Sequence, residues 1–151
     1  MLDRADRVVL IINDMTIKVN TRMQKYGFLI HKLYSDDLQG LNFYSDWKPY
    51  LYGPYSEELK QDLQECINQK LVIQFNSPTE SGRVFRNYNL SMKGRMKLRN
   101  VIANYEKTVK ELYEKFTKLN RTPITSILKD IYLAYPEYTV KSEIKESIMN
   151  D

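Results

Sequence analysis

The sequence is poor in the residues that staple or metallate small folds. Its 151 residues include one cysteine and one histidine, so no disulfide framework can form. Cys66 and His31 also fall short of the soft or imidazole ligands that a structural zinc site requires. The five glycines, at 27, 40, 53, 82 and 94, are never closer than twelve residues. That spacing excludes the glycine-rich loops that cradle dinucleotides or nucleotide phosphates. Long apolar runs are missing too. The longest, Val8–Ile12, is five residues, whereas a membrane helix needs about 20. The expectation is a soluble, cytoplasmic protein with no membrane association, no metal and no cofactor.

What is present is a globular balance, with 42% hydrophobic and 28% charged residues, enough apolar surface to build a core and too much for wholesale disorder. The formal net charge of +4 hides a strong asymmetry. Residues 35–70 carry seven acidic and three basic side chains, whereas residues 71–100 carry six basic ones, Arg83, Arg86, Lys93, Arg95, Lys97 and Arg99, against Glu80 alone. A basic strip of this kind concentrates anionic partners, nucleic acid foremost.

Apolar spacing predicts an opening helix over Asp3–Met15, with Val8, Val9, Ile12 and Met15 on one face. A second follows, capped by Asn20 or Thr21, with Met23, Tyr26, Leu29, Ile30 and Leu33 as its stripe. Ser35–Pro54 reads as a packed connection or short extended piece, because its aromatic rings are costly to leave wet. Ser56 is a suitable N-cap for a third helix that buries Leu59, Leu63, Cys66 and Ile67. Its outer face then carries Glu57, Glu58, Asp62 and Glu65 against Lys60 and Lys70. Leu71–Phe75 and Arg83–Leu90 read as the strands of a hairpin around the turn-rich Asn76–Gly82.

Ser91 can cap the last long helix, where Leu98, Ile102, Tyr105, Val109, Leu112, Phe116 and Leu119 repeat at alternating four- and three-residue spacings. This seam fits either a dimer interface or the chain's own core. Pro123 ends it, and a final helix with Ile124, Ile127, Leu128, Ile131 and Tyr132 stops before Pro136.

The fold class expected from this order is mainly α with a small β-hairpin. Three helices with the third running into a two-stranded hairpin is the succession of a winged helix-turn-helix, here with C-terminal helices added. Residues 1–95 would form the winged-helix domain. Residues 96–151 would form the long heptad helix and the terminal helix, packed on that domain or on a dimer partner.

The wording of two segments adds a resemblance. Met23-Gln24-Lys25, followed by Trp47-Lys48-Pro49-Tyr50-Leu51-Tyr52-Gly53-Pro54-Tyr55-Ser56-Glu57-Glu58-Leu59, resembles the YwgA-like proteins of bacteria and archaea. More distantly it is similar to the SocA-type (Panacea) antitoxin domain. The resemblance implies a winged-helix-related fold and, for the antitoxin branch, toxin neutralisation or adaptor binding. It brings no catalytic residues.

No catalytic constellation emerges from the residues either. Cys66 falls on the apolar stripe of the third helix, where a small buried thiol is ordinary. The adjacent pairs Asp36-Asp37 and Glu57-Glu58 diverge within regular elements rather than converging on a bond. Most of the twelve tyrosines sit at core spacing. The leading expectation is a non-enzymatic, dimeric regulator that contacts double-stranded DNA through its basic wing and the adjoining helix. The alternative is an antitoxin- or adaptor-type module whose acidic third helix binds a protein partner.

Overall fold

The computed structural model describes residues 2–38, 42–78, 82 and 84–149. Helix α1 (Arg4–Ile12) starts at a reciprocal cap: Asp3 accepts from the Asp6 amide, and the Asp6 carboxylate accepts from the Asp3 amide. It was expected to run to Met15 and to bury one face. Instead it stops where Asn13 turns to φ 55°, ψ −148°, a backbone conformation costly for any residue with a Cβ. It also buries every residue from Arg7 to Ile12, because other elements pack around it on all sides.

Beyond α1, Ile17 exchanges both backbone hydrogen bonds with Tyr88 (2.8 and 2.9 Å). Helix α2 (Asn20–Leu33) follows, capped by neither Asn20 nor Thr21. Val19 occupies the cap position at φ 73°, a costly geometry for a β-branched residue, and its amide donates to Asn87 Oδ1 at 2.9 Å. A contact distant in sequence thus decides where the helix begins.

The aromatic connection forms a second hairpin, β1 (Lys48–Tyr50) paired antiparallel with β2 (Gly53–Tyr55). Gly53 has φ 93°, and a Cβ there would sit 2.8 Å from Tyr132 Cε1. Helix α3 (Glu57–Asn68) is capped as expected by Ser56, whose Oγ accepts from the Leu59 amide. Lys70, in the left-handed region at φ 61°, turns the chain into β3 (Val72–Pro78), which pairs in continuous register with β4 (Val84–Leu90). With Ile17 bridged to β4, β3 is the outer strand. The chain is therefore mainly helical with two small antiparallel hairpins.

Helix α4 (Met92–Asn120) begins at Ser91, whose Oγ accepts from the Gly94 amide and donates to Lys70 O. The expected uninterrupted seam breaks at Tyr105 (φ −139°, ψ 42°). That break rotates the two halves relative to each other, so Val101 is buried while Ile102 and Tyr105 are half-buried. Leu98, Val109, Leu112 and Phe116 are buried and Leu119 half-buried, all in the same apolar cluster as α1 and α2. Phe116 stacks on Tyr26 at 4.6 Å, and Asn13 Nδ2 donates to Val109 O. The seam is covered by the chain's own helices. The Arg22 guanidinium binds the carbonyls of Leu119 and Thr122 at the C-terminal end of α4, where a cation complements the helix dipole.

Pro123 separates α4 from α5 (Ile124–Ala134), as expected. A 3₁₀ turn (Pro136–Tyr138) and α6 (Lys145–Met149) complete the chain, and the Glu143 amide reaches back to Leu51 O. Because α4 starts at Met92, the boundary drawn at residue 95 falls inside its first turns. One apolar cluster joins α1 and α2 to α4 and α5.

The joint between α3, the β3–β4 hairpin and α4 is a close backbone approach. A Cβ at Gly94 would collide with the Leu71 carbonyl oxygen, which accepts from the Ser91 amide. Gly94→Ala is expected to cost about 3 kcal/mol, read as a lower urea midpoint.

Candidate nucleic-acid interface

Six basic side chains between residues 83 and 99 were singled out from the sequence, and the structure separates them. Arg83 lies outside the described residues. Arg86 is exposed on β4 opposite Asn76, and Lys93, Arg95 and Arg99 are exposed on the first turns of α4. Among the described residues none of these four has a carboxylate within ion-pair distance.

Lys97 differs. It is half-buried, with Nζ 2.8 Å from Asp3 Oδ2 and 3.3 Å from Asp6 Oδ1. The hydrogen bond to Asp3 raises its pKa above the ordinary lysine value. Its charge ties α4 to the start of α1, so only part of it faces outward. Met92 and Met96, 82% and 61% exposed, share the outer face of α4 with Arg95 and Arg99.

The acidic surface expected on α3 requires a correction. Asp62 lies three residues after Leu59 and four before Cys66, which places it on the buried stripe, and it is 2% exposed. Its Oδ2 accepts from Arg7 Nη2 at 2.6 Å and from the Tyr44 hydroxyl at 2.7 Å, while Oδ1 accepts from Arg4 Nε at 2.8 Å. Arg7 also lies 4.3 Å from the centre of the Tyr44 ring and donates to Asn42 O. Burial, reinforced by the Asp62 carboxylate, pushes the Tyr44 pKa far above the usual phenol value, which keeps it a donor.

With Asp62 turned inward, the solvent row of α3 reads Lys60, Gln61, Gln64 and Asn68. Glu57 is half-buried, and exposed Glu58 and Glu65 stand on the flank toward Asp62. The amide groups escaped notice in a sequence reading that counted charges. The signal that could have found them was the helical offset from Leu59 and Cys66. Asparagine and glutamine are the side chains that pair bidentately with adenine edges in a major groove.

Two clamps set the direction of α3. Gln24 of α2 bonds both the amide and the carbonyl of Ser56 (2.8 and 2.9 Å), and Lys25 Nζ donates to Pro54 O at 2.9 Å. Asp46 accepts from Ser56 Oγ and from the Glu58 amide. Gln24-Lys25 of α2 and the Gly53-Pro54-Tyr55-Ser56 stretch are therefore in direct contact. At the other end α3 runs through Lys70 into β3, and Lys93 of α4 shares a cleft of about 490 Å³ with Glu65 and Gln69. The amide row, the hairpin and the basic turns of α4 are consecutive neighbours.

Cys66 is buried, and burial followed by the nearby Asp62 charge pushes its thiol up to about 12, as suits a core side chain. His31 is half-buried near Trp47, 6.4 Å between ring centres, and burial lowers its pKa below the ordinary value. Among the described residues no three His, Cys, Asp or Glu side chains converge as metal ligands, and no helix is long and apolar enough to cross a membrane. No family model, curated protein or solved structure matches this chain.

Removing one partner of the buried pair strands the other. Asp62→Ala should lower the unfolding free energy by about 3–5 kcal/mol, measured by urea denaturation at neutral pH. Lys25 gives a second expectation, because burial lowers its pKa from 10.5 in the free chain to about 7. Above pH 7 the unfolded state binds the extra proton, so stability rises with pH, by at most about 1.4 kcal/mol per unit. That gain is lost as pH falls through 7. Unfolding curves from pH 7 to about 9, short of ordinary tyrosine ionisation, should show this slope, and Lys25→Met should abolish it.

Proposed function

We propose that this chain is a winged-helix nucleic-acid-binding protein, a transcriptional regulator that docks on duplex DNA with α3 and its β3–β4 wing. The reading rests on one observation above all. Among the described residues Arg86, Lys93, Arg95 and Arg99 are exposed without carboxylate partners, on the hairpin and helix that follow an α3 whose outermost row is largely amides. The cations would neutralise backbone phosphates, the sequence-independent part of affinity. Gln61, Gln64 and Asn68 would reach base edges. Support also comes from the order α1, α2, α3, β3, β4 and from the Ile17–Tyr88 bridge, which pairs one residue of the α1–α2 connection with the wing.

A second reading has its own observation. Ile73, Phe75 and Val84 are exposed on the same hairpin, and phosphates give apolar side chains nothing to bind. They favour a protein partner, in line with the adaptor role that the antitoxin resemblance implies.

Titrating a duplex library across a salt series separates the two. On the DNA reading, replacing Arg86, Arg95 and Arg99 with Ala weakens binding to all sequences. It also flattens the slope of log K against log salt by about 0.9 per lost phosphate contact. Gln61→Ala with Gln64→Ala instead relaxes sequence preference, by about 1–3 kcal/mol for each lost bidentate pair. Unchanged affinity and slope in the triple-arginine variant would overturn the DNA reading. Recovery of one protein from nuclease-treated lysate, lost in Ile73→Asp with Phe75→Asp, would favour the other.

A further inference from the structure

Lys25 has a role in positioning α3, yet that role does not account for its surroundings. The side chain is 2% exposed. Among the described residues it has no carboxylate partner, and Pro54 O is its hydrogen-bond acceptor. It also lines a cavity of about 200 Å³ between the first turns of α2 and the β1–β2 hairpin, walled by Gln24, Tyr50, Tyr52 and Tyr55. An amine needed only to tether a carbonyl would be close-packed, as protein interiors are. Here it borders space large enough for one small ring, below the usual range for drug-sized ligands.

We propose that Lys25 is a carbonyl-capturing amine, and that a small aromatic aldehyde seated among Tyr50, Tyr52 and Tyr55 is held there as an imine. The reaction needs no oxidant or reductant. The lone pair of neutral Nζ forms a bond to the carbonyl carbon, the C=O π pair moves to oxygen, and a proton passes from nitrogen to that oxygen to give a carbinolamine. The remaining N–H proton and the hydroxyl then leave as one water, forming C=N, and hydrolysis reverses the sequence.

Three features suit the site to this step. A lysine desolvated in an apolar pocket and lacking a counter-ion is an activated nucleophile. Burial lowers its pKa to about 7, so about half is neutral at pH 7, against fewer than one in about a thousand for an exposed lysine. Burial and the adjacent Glu57, which accepts the hydroxyl proton, push Tyr55 up to about 12, so the ring beside Lys25 stays a neutral phenol and brings no competing negative charge to the site. The tyrosine rings, with Tyr50 and Tyr55 at 4.9 Å between centres, offer faces for an aromatic ligand.

The proposal is independent of DNA binding and is tested without it. The full chain is incubated with benzaldehyde and cyanoborohydride at pH 7, and the benzylated lysines are located by peptide mapping. Lys25 is expected to be labelled at least about tenfold faster than any other lysine, its rate levelling off above pH 7 while exposed lysines keep accelerating. Lys25→Met should retain only the slow, scattered labelling. The map of the unaltered chain decides the matter even if that variant fails to fold. Labelling of Lys25 no faster than that of exposed lysines such as Lys93 and Lys107 would overturn the proposal.

Discussion

A carboxylate taken out of water must be met by hydrogen bonds and opposite charge or it unfolds its surroundings. Asp62 is met by Arg7 and Arg4 of α1 and by the Tyr44 hydroxyl. These groups come from α1, α3 and the connection between α2 and β1, so one buried anion fixes three segments relative to each other. Such a pair adds little net stability compared with an apolar replacement. Its consequence here is rotational: with Asp62 held inward, α3 turns its Lys60, Gln61, Gln64 and Asn68 row outward, with Glu58 and Glu65 exposed on one flank.

The remaining contacts around α3 propagate that orientation. Gln24 and Lys25 hold Ser56 and Pro54 from α2, Asp46 holds the first turn, and Lys70 delivers the chain to β3 in a left-handed turn. Ser91 closes the far end by bonding the carbonyl of Lys70 while capping α4. The hairpin and the basic start of α4 therefore inherit their positions from α3. Charge is divided accordingly. Lys97 is consumed in joining α4 to Asp3 and Asp6, whereas Arg86, Lys93, Arg95 and Arg99 remain on the surface. The β1–β2 hairpin serves two ends, carrying Pro54 and Ser56 to α2 and enclosing the cavity beside Lys25.

Much of the fold was legible because its signals are local. Ser56 and Ser91 each satisfy helix amides within three residues, Pro123 breaks a helix through its own ring, and the alternating run into β4 follows a two-residue period. The cation strip between residues 83 and 99 was equally plain. The errors have two origins. The start of α2, the end of α1 and the break at Tyr105 depend on groups far away in sequence or on backbone geometry that no residue pattern encodes. Asp62 instead follows from its helical offset from Leu59 and Cys66, a signal that counting charges passes over. Counting carboxylates on α3 therefore put Asp62 on a surface that carries Glu58 and Glu65 without it, and the amide row went unseen.

By itself the sequence determined the number and order of the main helices, the β3–β4 hairpin, the exclusion of a disulfide framework and the clustering of positive charge. Each follows from residue type and short-range periodicity. Only the tertiary structure decided which charges are exposed, that the α4 seam is covered within the chain, that Gln24-Lys25 meets Gly53-Pro54-Tyr55-Ser56, and that Lys25 borders a cavity. The reason is physical. Whether a charged side chain is solvated, paired or stripped of water depends on what other elements bring to it, and those elements lie tens of residues away.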